Sequence, residues 1–329
     1  MKLAGILGQE RVVDALRRSI AANRVAHAYL FEGPNGCGRR TTALALVQAL
    51  FCAASVAGDA CAACPSCRKL ATGHHPDLHL LEPLPDKRDI AIEQVRELQQ
   101  VLSLRPYEAS RKACLIYPAE RMTVGAANSL LKTLEEPPGH AVIILLAAQT
   151  DLLLPTVSSR CQHLRFSPLD DRTVAAVLEA QGMDRELAAS LAPLAQGSLE
   201  RARDIDGEED TRRRSALLAT LRAATPGRIA TIFDAGEELA GNREETTALF
   251  DLLLSLIRDL LLLRTSGENG VVNHPLLEQL TDEAARFTPA SVMEALELAL
   301  ETRRAVQGNV NPKLALDRFL LRYGSLRTN

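Results

Sequence analysis

A glycine-rich segment between an apolar strand and an Ala/Leu-rich helix constrains the fold of this chain more than any other feature. The apolar run Ala28–Phe31 predicts a buried strand, and Thr41–Leu50 predicts a helix. Between them stand Gly33, Gly36 and Gly38, within the sequence GPNGCGRRTT. A strand, a glycine-rich turn and a helix in this order are typical of a phosphate-binding loop. The segment therefore predicts a βα unit of an α/β domain.

The remainder of the first half continues this alternation of strand and helix patterns. Further strands are predicted at Leu78–Leu81, Ala113–Tyr117, Val142–Ala148 and Leu164–Phe166, and helices at Ile92–Leu102 and Ala126–Leu134. Val142–Ala148 is apolar throughout, as expected of a central strand that is covered on both faces. The pattern predicts a parallel sheet with helices packed on its faces.

From Pro168 onward the pattern is helical only. Aliphatic residues recur at helical spacing up to residue 207, which predicts a small helical lid, and the acidic run Asp206–Asp210 predicts a linker. Further helices are predicted at Leu217–Leu221, Arg228–Leu239, Thr246–Leu263, Leu276–Ala285, Pro289–Val306 and Pro312–Tyr323. Aromatic residues make up only 3% of the chain, so aliphatic side chains must pack these helices. The predicted domains are 1–167, 168–207 and 208–329.

The glycine-rich loop lacks two side chains that a working ATPase requires. In the pattern G-x-x-x-x-G-K-[ST], the lysine reaches the outer phosphates and the hydroxyl holds magnesium. Arg39 stands at the lysine position and Arg40 at the hydroxyl position, and a guanidinium cannot ligate magnesium. The candidate nucleotide-contacting residues are Gly33, Gly36, Gly38, Arg39, Arg40 and Thr41. We expect any ATP or ADP held there not to be hydrolysed.

The acidic residues of a working ATPase are also missing after the third predicted strand. An aspartate there helps to hold magnesium, and a following glutamate polarises water. Here Ala113–Tyr117 runs directly into Pro118, and Glu120 lies further along the chain. A hydrolase that uses Glu120 and Arg39 remains as the alternative interpretation.

Four clustered cysteines predict a metal site inserted into the first domain. Cys52, Cys61, Cys64 and Cys67 have the spacing C-x8-C-x2-C-x2-C, whose short intervals let thiolates converge on one tetrahedral ion. Four thiolates leave no open position, so the prediction is a structural zinc knuckle over residues 52–67. An iron–sulfur cluster and a set of incidental cysteines remain as alternatives. The nearby residues His74, His75 and His79 are not assigned as ligands.

Charge and hydropathy limit the partners. The formal net charge is -3 and the pI is about 6.2, which argues against a protein that coats nucleic acid by charge alone. No secretion signal is recognised near the first residue, and no apolar run approaches the roughly 20 residues that span a bilayer. We therefore expect a cytoplasmic protein that contacts no membrane, and a nucleic-acid role that is local or shared with partners.

Several motifs together resemble the AAA+ clamp-loader proteins of bacterial DNA polymerase III. They are Leu7–Gln9, His27–Phe31, the cysteine insert, Ala127–Pro138 with its LEEPP sequence, Leu154–Cys161 with its SRC sequence, and Asn309–Leu316. The resemblance implies an AAA+ domain with a RecA-like P-loop sheet, a small helical lid and a C-terminal all-α collar that mediates oligomerisation. It also implies a ring-like pentamer that uses ATP to open the sliding clamp and place it on primed DNA.

The resemblance also implies partners and one catalytic residue. The partners are gamma/tau motor subunits and the delta subunit, with primed DNA inside the complex and the clamp contacted indirectly. Arg160 of the SRC motif would be an arginine finger that enters a neighbour's ATP site, where a guanidinium stabilises charge on the terminal phosphate. The alternative is that Arg160 pairs with a local carboxylate.

Three hypotheses about function follow. The first is a catalytically degenerate stator of the loader, because the damaged loop accompanies an intact SRC motif. The second is a gamma/tau-type motor subunit that hydrolyses ATP, although the sequence Gly197-Ser198-Leu199 is followed by Glu200 where motor relatives carry a nucleotide-sensing arginine. The third is a zinc-dependent DNA-binding module over residues 51–73.

Overall fold

The computed structural model describes residues 2–204, 207–225, 227, 229–308 and 310–327. The chain divides into two compact units, of which the first ends at Asp204 and the second contains the remainder. Within the described residues, no helix is both long enough and apolar enough to cross a membrane.

A five-stranded parallel sheet forms the centre of the first unit. The strands are β1 (Ala28–Glu32), β2 (Leu78–Leu81), β3 (Lys112–Ile116), β4 (Ala141–Ala147) and β5 (Gln162–Arg165). Their order across the sheet is β2-β3-β4-β1-β5, and Leu30 of β1 lies opposite Leu145 of β4. All five strands predicted from the sequence are confirmed, with ends that differ by at most two residues.

Hydrophobic cores lie on both faces of this sheet, since successive side chains of a strand point to opposite faces. In β1, Tyr29 and Phe31 belong to one core, while Ala28 and Leu30 belong to the other. All seven residues of β4 are buried, as the unbroken apolar run predicts for a central strand.

Six helices accompany the sheet. They are α1 (Glu10–Ala21), α2 (Arg39–Phe51), α3 (Pro65–Ala71), α4 (Ile92–Ser103), α5 (Val124–Glu135) and the short α6 (Pro155–Ser158). The predicted helices α2, α4 and α5 are confirmed, whereas α1 was not predicted. Its signal was present, because Val12, Val13 and Leu16 follow helical spacing and are buried.

Three further helices complete the first unit and have a small core of their own. They are α7 (Asp171–Ala180), α8 (Arg185–Ala195) and α9 (Leu199–Asp204). Their shared core consists of Leu169, Val174, Leu178, Ala188, Ala192, Ala195 and Ala202. Asp170 and Asp184 cap α7 and α8 by accepting backbone N–H groups of the first turn. We refer to Leu169–Asp204 as the lid.

The described part of the second unit is helical. Its helices are α10 (Gly207–Ala223), α11 (Ile229–Leu239), α12 (Arg243–Thr265), α13 (Leu277–Ala284), α14 (Pro289–Gln307) and α15 (Pro312–Ser325). They pack around one aliphatic core with Phe250, Phe287 and Phe319 at its centre. Two residues of the sequence predictions lie outside the described residues: Arg228, the first residue of a predicted helix, and Asn309, the first residue of the C-terminal motif.

The linker predicted over Asp206–Asp210 is wrong for the residues that the structure describes. Gly207–Asp210 begin α10, while Asp206 lies outside the described residues. Acidic residues are favourable in a first helical turn because the helix dipole is positive there. Each acid also pairs with an arginine one turn later in the helix. Glu209 lies 3.1 Å from Arg213, and Asp210 lies 2.5 Å from Arg214. The acidic run thus starts a helix.

Candidate functional site

The glycine-rich loop has the backbone conformation that its glycines permit. Gly33, Gly36 and Gly38 have φ angles of 153°, 75° and 95°, which L-residues with a side chain rarely adopt. A Cβ atom on Gly36 would lie 2.1 Å from the Ser198 Oγ of the lid, and one on Gly33 would lie 2.4 Å from the Phe166 carbonyl oxygen. The glycines therefore serve close packing as well as the turn.

Arginine side chains occupy the positions where an ATPase holds lysine and a hydroxyl group. Arg39 is only 5% exposed and donates from Nη2 to the Asn35 Oδ1 at 2.7 Å. Arg40 pairs with Glu82 at 2.8 Å, and its guanidinium lies 5.7 Å from the ring centre of Tyr117. Of the two threonines that follow, Thr41 lines the cavity beside the loop, and the Thr42 hydroxyl donates to the Gly38 carbonyl at 2.8 Å. These contacts tie the loop's polar side chains to the protein itself.

The cavity beside the loop is small. Its volume is about 100 Å³, and its lining includes Gly36, Arg39, Arg40, Tyr117 and Glu200. Pockets for small organic ligands usually measure about 300–1,000 Å³. Burial and the nearby Glu200 carboxylate raise the pKa of Tyr117. The volume of this cavity lies below the range for such pockets.

The lid contacts the loop directly. The Leu199 N–H donates to the Gly36 carbonyl at 3.0 Å. Glu200 follows in the cavity lining, whereas the Arg201 side chain turns away to donate to the Gln196 Oε1 at 3.1 Å. At the position where the sequence comparison expects a nucleotide-sensing arginine, the chain therefore places the Glu200 carboxylate beside the loop.

Glu120 does not line this cavity. It lies on a 3-10 helix, Ala119–Arg121, and its Oε1 accepts the Ala148 N–H at 2.9 Å just after β4. The geometry therefore offers no support for a hydrolase that uses Glu120 together with Arg39.

Arg160 lies two residues after α6, with its side chain 36% exposed. Its Nη1 donates to the Thr156 carbonyl at 2.9 Å, and its Nη2 pairs with the Glu135 Oε1 at 2.5 Å. One ion pair thus joins the SRC motif to the LEEPP motif. This contact agrees with the alternative interpretation, in which Arg160 pairs with a local carboxylate. Ion pairs at this exposure contribute about 0–1 kcal/mol, so this one is readily exchanged for another partner.

The four cysteines converge. Their sulfur atoms all lie within 4.8 Å of one another, with Cys61 and Cys67 3.9 Å apart and Cys52 and Cys64 4.0 Å apart. Tetrahedral zinc with Zn–S bonds of about 2.3 Å places its sulfur ligands about 3.8 Å apart. The cluster is therefore placed to bind a metal ion such as zinc.

Backbone N–H groups surround the sulfur atoms. The N–H groups of Ala63 and Cys64 donate to the Cys61 sulfur and lower the pKa of Cys61 to about 6, which favours the thiolate that metals bind. Burial instead raises the pKa of Cys67 to about 12. A bound cation supplies the positive charge that favours the thiolate at every ligand.

The cysteine insert is fastened to the start of the chain by Asp59, a residue that the sequence analysis did not single out. The Asp59 carboxylate accepts the N–H groups of Leu3 and Ala4 at 2.9 Å each and that of Ala60 at 2.8 Å. Gly58 packs against α1 so closely that a Cβ atom would lie 2.4 Å from the Arg17 carbonyl oxygen. A lone aspartate in an insert carries no sequence signal for such a role.

Gln9 of the Leu7–Gln9 motif connects the same N-terminal segment to the loop and to the lid. Its Nε2 donates to the Cys37 carbonyl at 3.1 Å and to the Ser167 carbonyl at 2.7 Å, while its Oε1 accepts the Ser167 N–H at 3.3 Å. Gln9 is 4% exposed. This buried amide thus fixes the glycine loop relative to the segment where the lid begins.

Comparison with known proteins places this architecture in a family. A family model described as DNA polymerase III, delta subunit, matches residues 8–170, and a second model, for the C-terminal part of the delta subunit, matches residues 208–324. The chain is 31% identical to the delta' subunit of Bacillus subtilis over 95% of both chains. It is 32% identical to that of Pseudomonas aeruginosa over 92% of both. The chain belongs to the delta-prime family of DNA polymerase III clamp-loader subunits.

Gamma/tau subunits of DNA polymerase III are also similar to this chain but are longer. The gamma/tau subunit of Mycobacterium tuberculosis is 29% identical over 95% of this chain, which spans 59% of that protein. The family assignment and the observed sheet together confirm the predicted fold class, an α/β AAA+ domain with a helical lid, followed by a helical C-terminal region.

Proposed function

We propose that this chain is the non-hydrolysing stator of a DNA polymerase III clamp loader and supplies Arg160 to the ATP site of a neighbouring subunit. One observation carries the proposal. The chain's own phosphate loop carries Arg39 and Arg40 where an ATPase holds lysine and a hydroxyl group, while Arg160, in a segment that resembles the family's finger motif, is partly exposed and held by an exchangeable ion pair.

The chemistry of the loop supports the absence of ATP turnover. Arg40 occupies the position of the magnesium-binding hydroxyl, and Tyr117 and Pro118 follow β3 where a hydrolase needs acidic residues. The lid contacts Gly36 directly and contributes Glu200, a carboxylate, which repels a nucleotide's phosphates. The gamma/tau-type motor, the alternative function, requires the groups that this loop lacks.

A finger acts in trans by placing permanent positive charge against the terminal phosphate as water attacks it. In the phosphoryl-transfer transition state, charge spreads over the equatorial oxygens, and a guanidinium stabilises that charge by bidentate hydrogen bonds. Arg160 loses little on leaving Glu135, because the pair is exposed to solvent. A chain without a working ATP site can therefore complete the site of its neighbour.

The proposal also assigns partners, domain roles and a structural metal to this chain. Gamma/tau motor subunits and the delta subunit would be the direct partners in the cytoplasm, with the clamp contacted indirectly, primed DNA inside the complex and no membrane contact. Residues 1–167 would form the nucleotide-binding-like domain, 168–207 the lid and 208–329 the collar that assembles the ring. Zinc held by the four cysteines would be structural.

ATP hydrolysis by the chain alone and by the reconstituted loader tests the proposal. We expect no turnover by the purified chain, and strong DNA-dependent turnover after mixing with motor and delta subunits, clamp and primed DNA. Arg160→Ala should lower both hydrolysis and clamp loading, because a finger is worth roughly 10³-fold or more at the site that it completes. Glu135→Gln is the matched control, because it removes the local ion pair and leaves Arg160 in place.

The two variants separate a role in trans from a local one. Retained activity in Glu135→Gln, with loss in Arg160→Ala, supports the finger. Equal loss in both variants would mean that the local ion pair matters, and unchanged activity in Arg160→Ala would overturn the proposal. Magnesium-dependent turnover by the isolated chain would favour the motor alternative.

A further inference from the structure

We propose that His163 is a positioning residue for Arg160, because its ring ties the turn that carries Arg160 to Glu32, the last residue of β1. The inference rests on the finger role proposed for Arg160 and adds the residue that sets the direction of the finger. Glu32 ends β1 directly before Gly33. The strand that leads into the glycine-rich loop would thus support a neighbour's ATP site.

His163 lies on β5, an edge strand of the sheet, and its side chain shares a face of that sheet with Glu32. β5 pairs in parallel with β1, so that His163 lies opposite Leu30, two residues before Glu32. The next residue, Leu164, packs in the core on the other face, as the alternation of strand side chains requires. Leu30 shares its core with Val157 of α6. His163 therefore projects on the face that α6 covers.

Both nitrogens of the His163 ring have oxygen neighbours, one set on α6 and one on β1. Nε2 donates to the Ser158 carbonyl at 3.0 Å, since a carbonyl oxygen only accepts, and lies 3.1 Å from the Ser158 hydroxyl. Nδ1 faces the Glu32 Oε2 at 3.4 Å. The other oxygen of Glu32 accepts from Arg165 Nε, so this carboxylate is held from a second side. The ring bridges the last residue of α6 and the end of β1.

The turn that carries Arg160 begins at the carbonyl that this ring holds. The Ser158 carbonyl also accepts the Cys161 N–H at 3.1 Å, which closes the turn around Arg160. Because the bridge and the turn share one oxygen atom, a displacement of the His163 ring displaces the backbone of Arg160. The guanidinium itself is held by its exposed pair with Glu135. Once that pair opens, the backbone of the turn decides where the guanidinium points.

Placement of the guanidinium decides how much a finger contributes. It stabilises the transition state through short, directed contacts with charged oxygen atoms, and a misplacement of about 1 Å can cost roughly a hundredfold in rate. Groups supported by strands are held more rigidly than groups on loops. Arg160 lies in a turn, whereas His163 and Glu32 both lie on strands of the central sheet. The bridge gives the turn the support of the sheet.

ATP hydrolysis by the reconstituted loader tests the proposal on the complete complex. We expect His163→Ala to lower kcat roughly tenfold or more through misplacement of the finger. The KM for ATP should stay unchanged, because the motor subunit binds ATP without this ring. His163→Gln keeps an N–H donor for the Ser158 carbonyl and should restore most of the rate. Arg165→Gln is the matched control, since it removes the exposed partner of the same Glu32 carboxylate and keeps the bridge.

Arg160→Ala and the double variant separate this proposal from the finger role itself. Loss of hydrolysis in Arg160→Ala with full activity in His163→Ala would overturn the positioning role and leave the finger intact. Full activity in Arg160→Ala would overturn both. If His163 acts through Arg160, the double variant should be no slower than Arg160→Ala alone. A further loss in the double variant would show that the ring acts by another route, which would also overturn the proposal.

Hydrogen exchange on the full chain provides a second measurement that needs no assembled loader. The Cys161 amide should exchange roughly fivefold faster in His163→Ala than in the wild type, as the loss of one hydrogen bond to the shared carbonyl implies. The Ile143 amide, which donates to the His27 carbonyl in the sheet, should be unchanged. Equal exchange at Cys161 in the two proteins would mean that the ring does not hold the turn, and the proposal would fail.

Discussion

Replacement of Asp59 by alanine is expected to release the N-terminal segment from the cysteine insert. The carboxylate is 8% exposed and accepts three backbone N–H groups, two of them from Leu3 and Ala4. Leu3 is fully buried, so the variant would leave its N–H without a partner in the interior. Hydrogen bonds to a charged acceptor contribute about 1.5–3 kcal/mol each, and an orphaned buried donor costs about 1–3 kcal/mol.

These contributions are not additive, so we expect a local destabilisation of about 3 kcal/mol, which corresponds to roughly a hundredfold faster opening of the segment. Hydrogen exchange at the Ile6 amide is the assay, because this N–H donates to the Leu3 carbonyl at 3.1 Å and not to Asp59 itself. The Ile143 amide, which donates to the His27 carbonyl at 2.8 Å in the sheet, serves as the internal reference.

Two further variants calibrate the result. Asp59→Asn removes the charge and keeps one carbonyl oxygen, so its effect should be intermediate. Asp14→Ala removes an exposed carboxylate from α1 and should leave exchange at Ile6 unchanged. If Ile6 exchanges in Asp59→Ala at the wild-type rate, the carboxylate does not hold the N-terminal segment, and the reasoning from its three hydrogen bonds is wrong.

Two other predictions concern the metal site and a buried carboxyl group. Chelation should lower the calorimetric melting temperature of the first unit and speed exchange at Ile6, because metal binding contributes folding free energy; an unchanged melt would contradict a structural metal. Burial raises the pKa of Asp317 in the folded protein. The free energy of unfolding therefore falls as the pH rises from the ordinary aspartate pKa through this raised pKa, because the charged carboxylate is disfavoured in the interior. Asp317→Asn should therefore raise the urea midpoint at neutral pH, with a gain that disappears below the ordinary aspartate pKa; a gain that grows in acid would contradict this.

Much of the fold was predictable because its signals are local. The unbroken apolar run Val142–Ala148 favours a covered strand in a sequence with this alternation, and β4 (Ala141–Ala147) lies one residue from the predicted bounds. The cysteine spacing likewise predicted convergence, since two-residue intervals bring successive sulfurs to one point. The acidic run before Arg212 misled the linker prediction, because the same residues that mark an exposed break also favour a first helical turn.

The contacts of the candidate site were less predictable because their partners are distant in sequence. Nothing near Arg160 indicates that it meets Glu135, and nothing near Asp59 indicates that it holds Leu3 and Ala4. Each pair depends on how the sheet and its helices bring separate segments together. Sequence spacing predicts neighbours along one helix or strand, but not those between elements.

The sequence by itself determined the chemical inventory: which side chains the loop has lost, which four thiols are available for a metal, and which motif carries an arginine. Those properties are covalent and do not depend on folding. The tertiary structure alone decided that Arg39 is buried with no counter-ion among the residues that the structure describes, and that the lid reaches Gly36. Burial and pairing decide what a charged group costs and what it can bind, and both are properties of the packed chain.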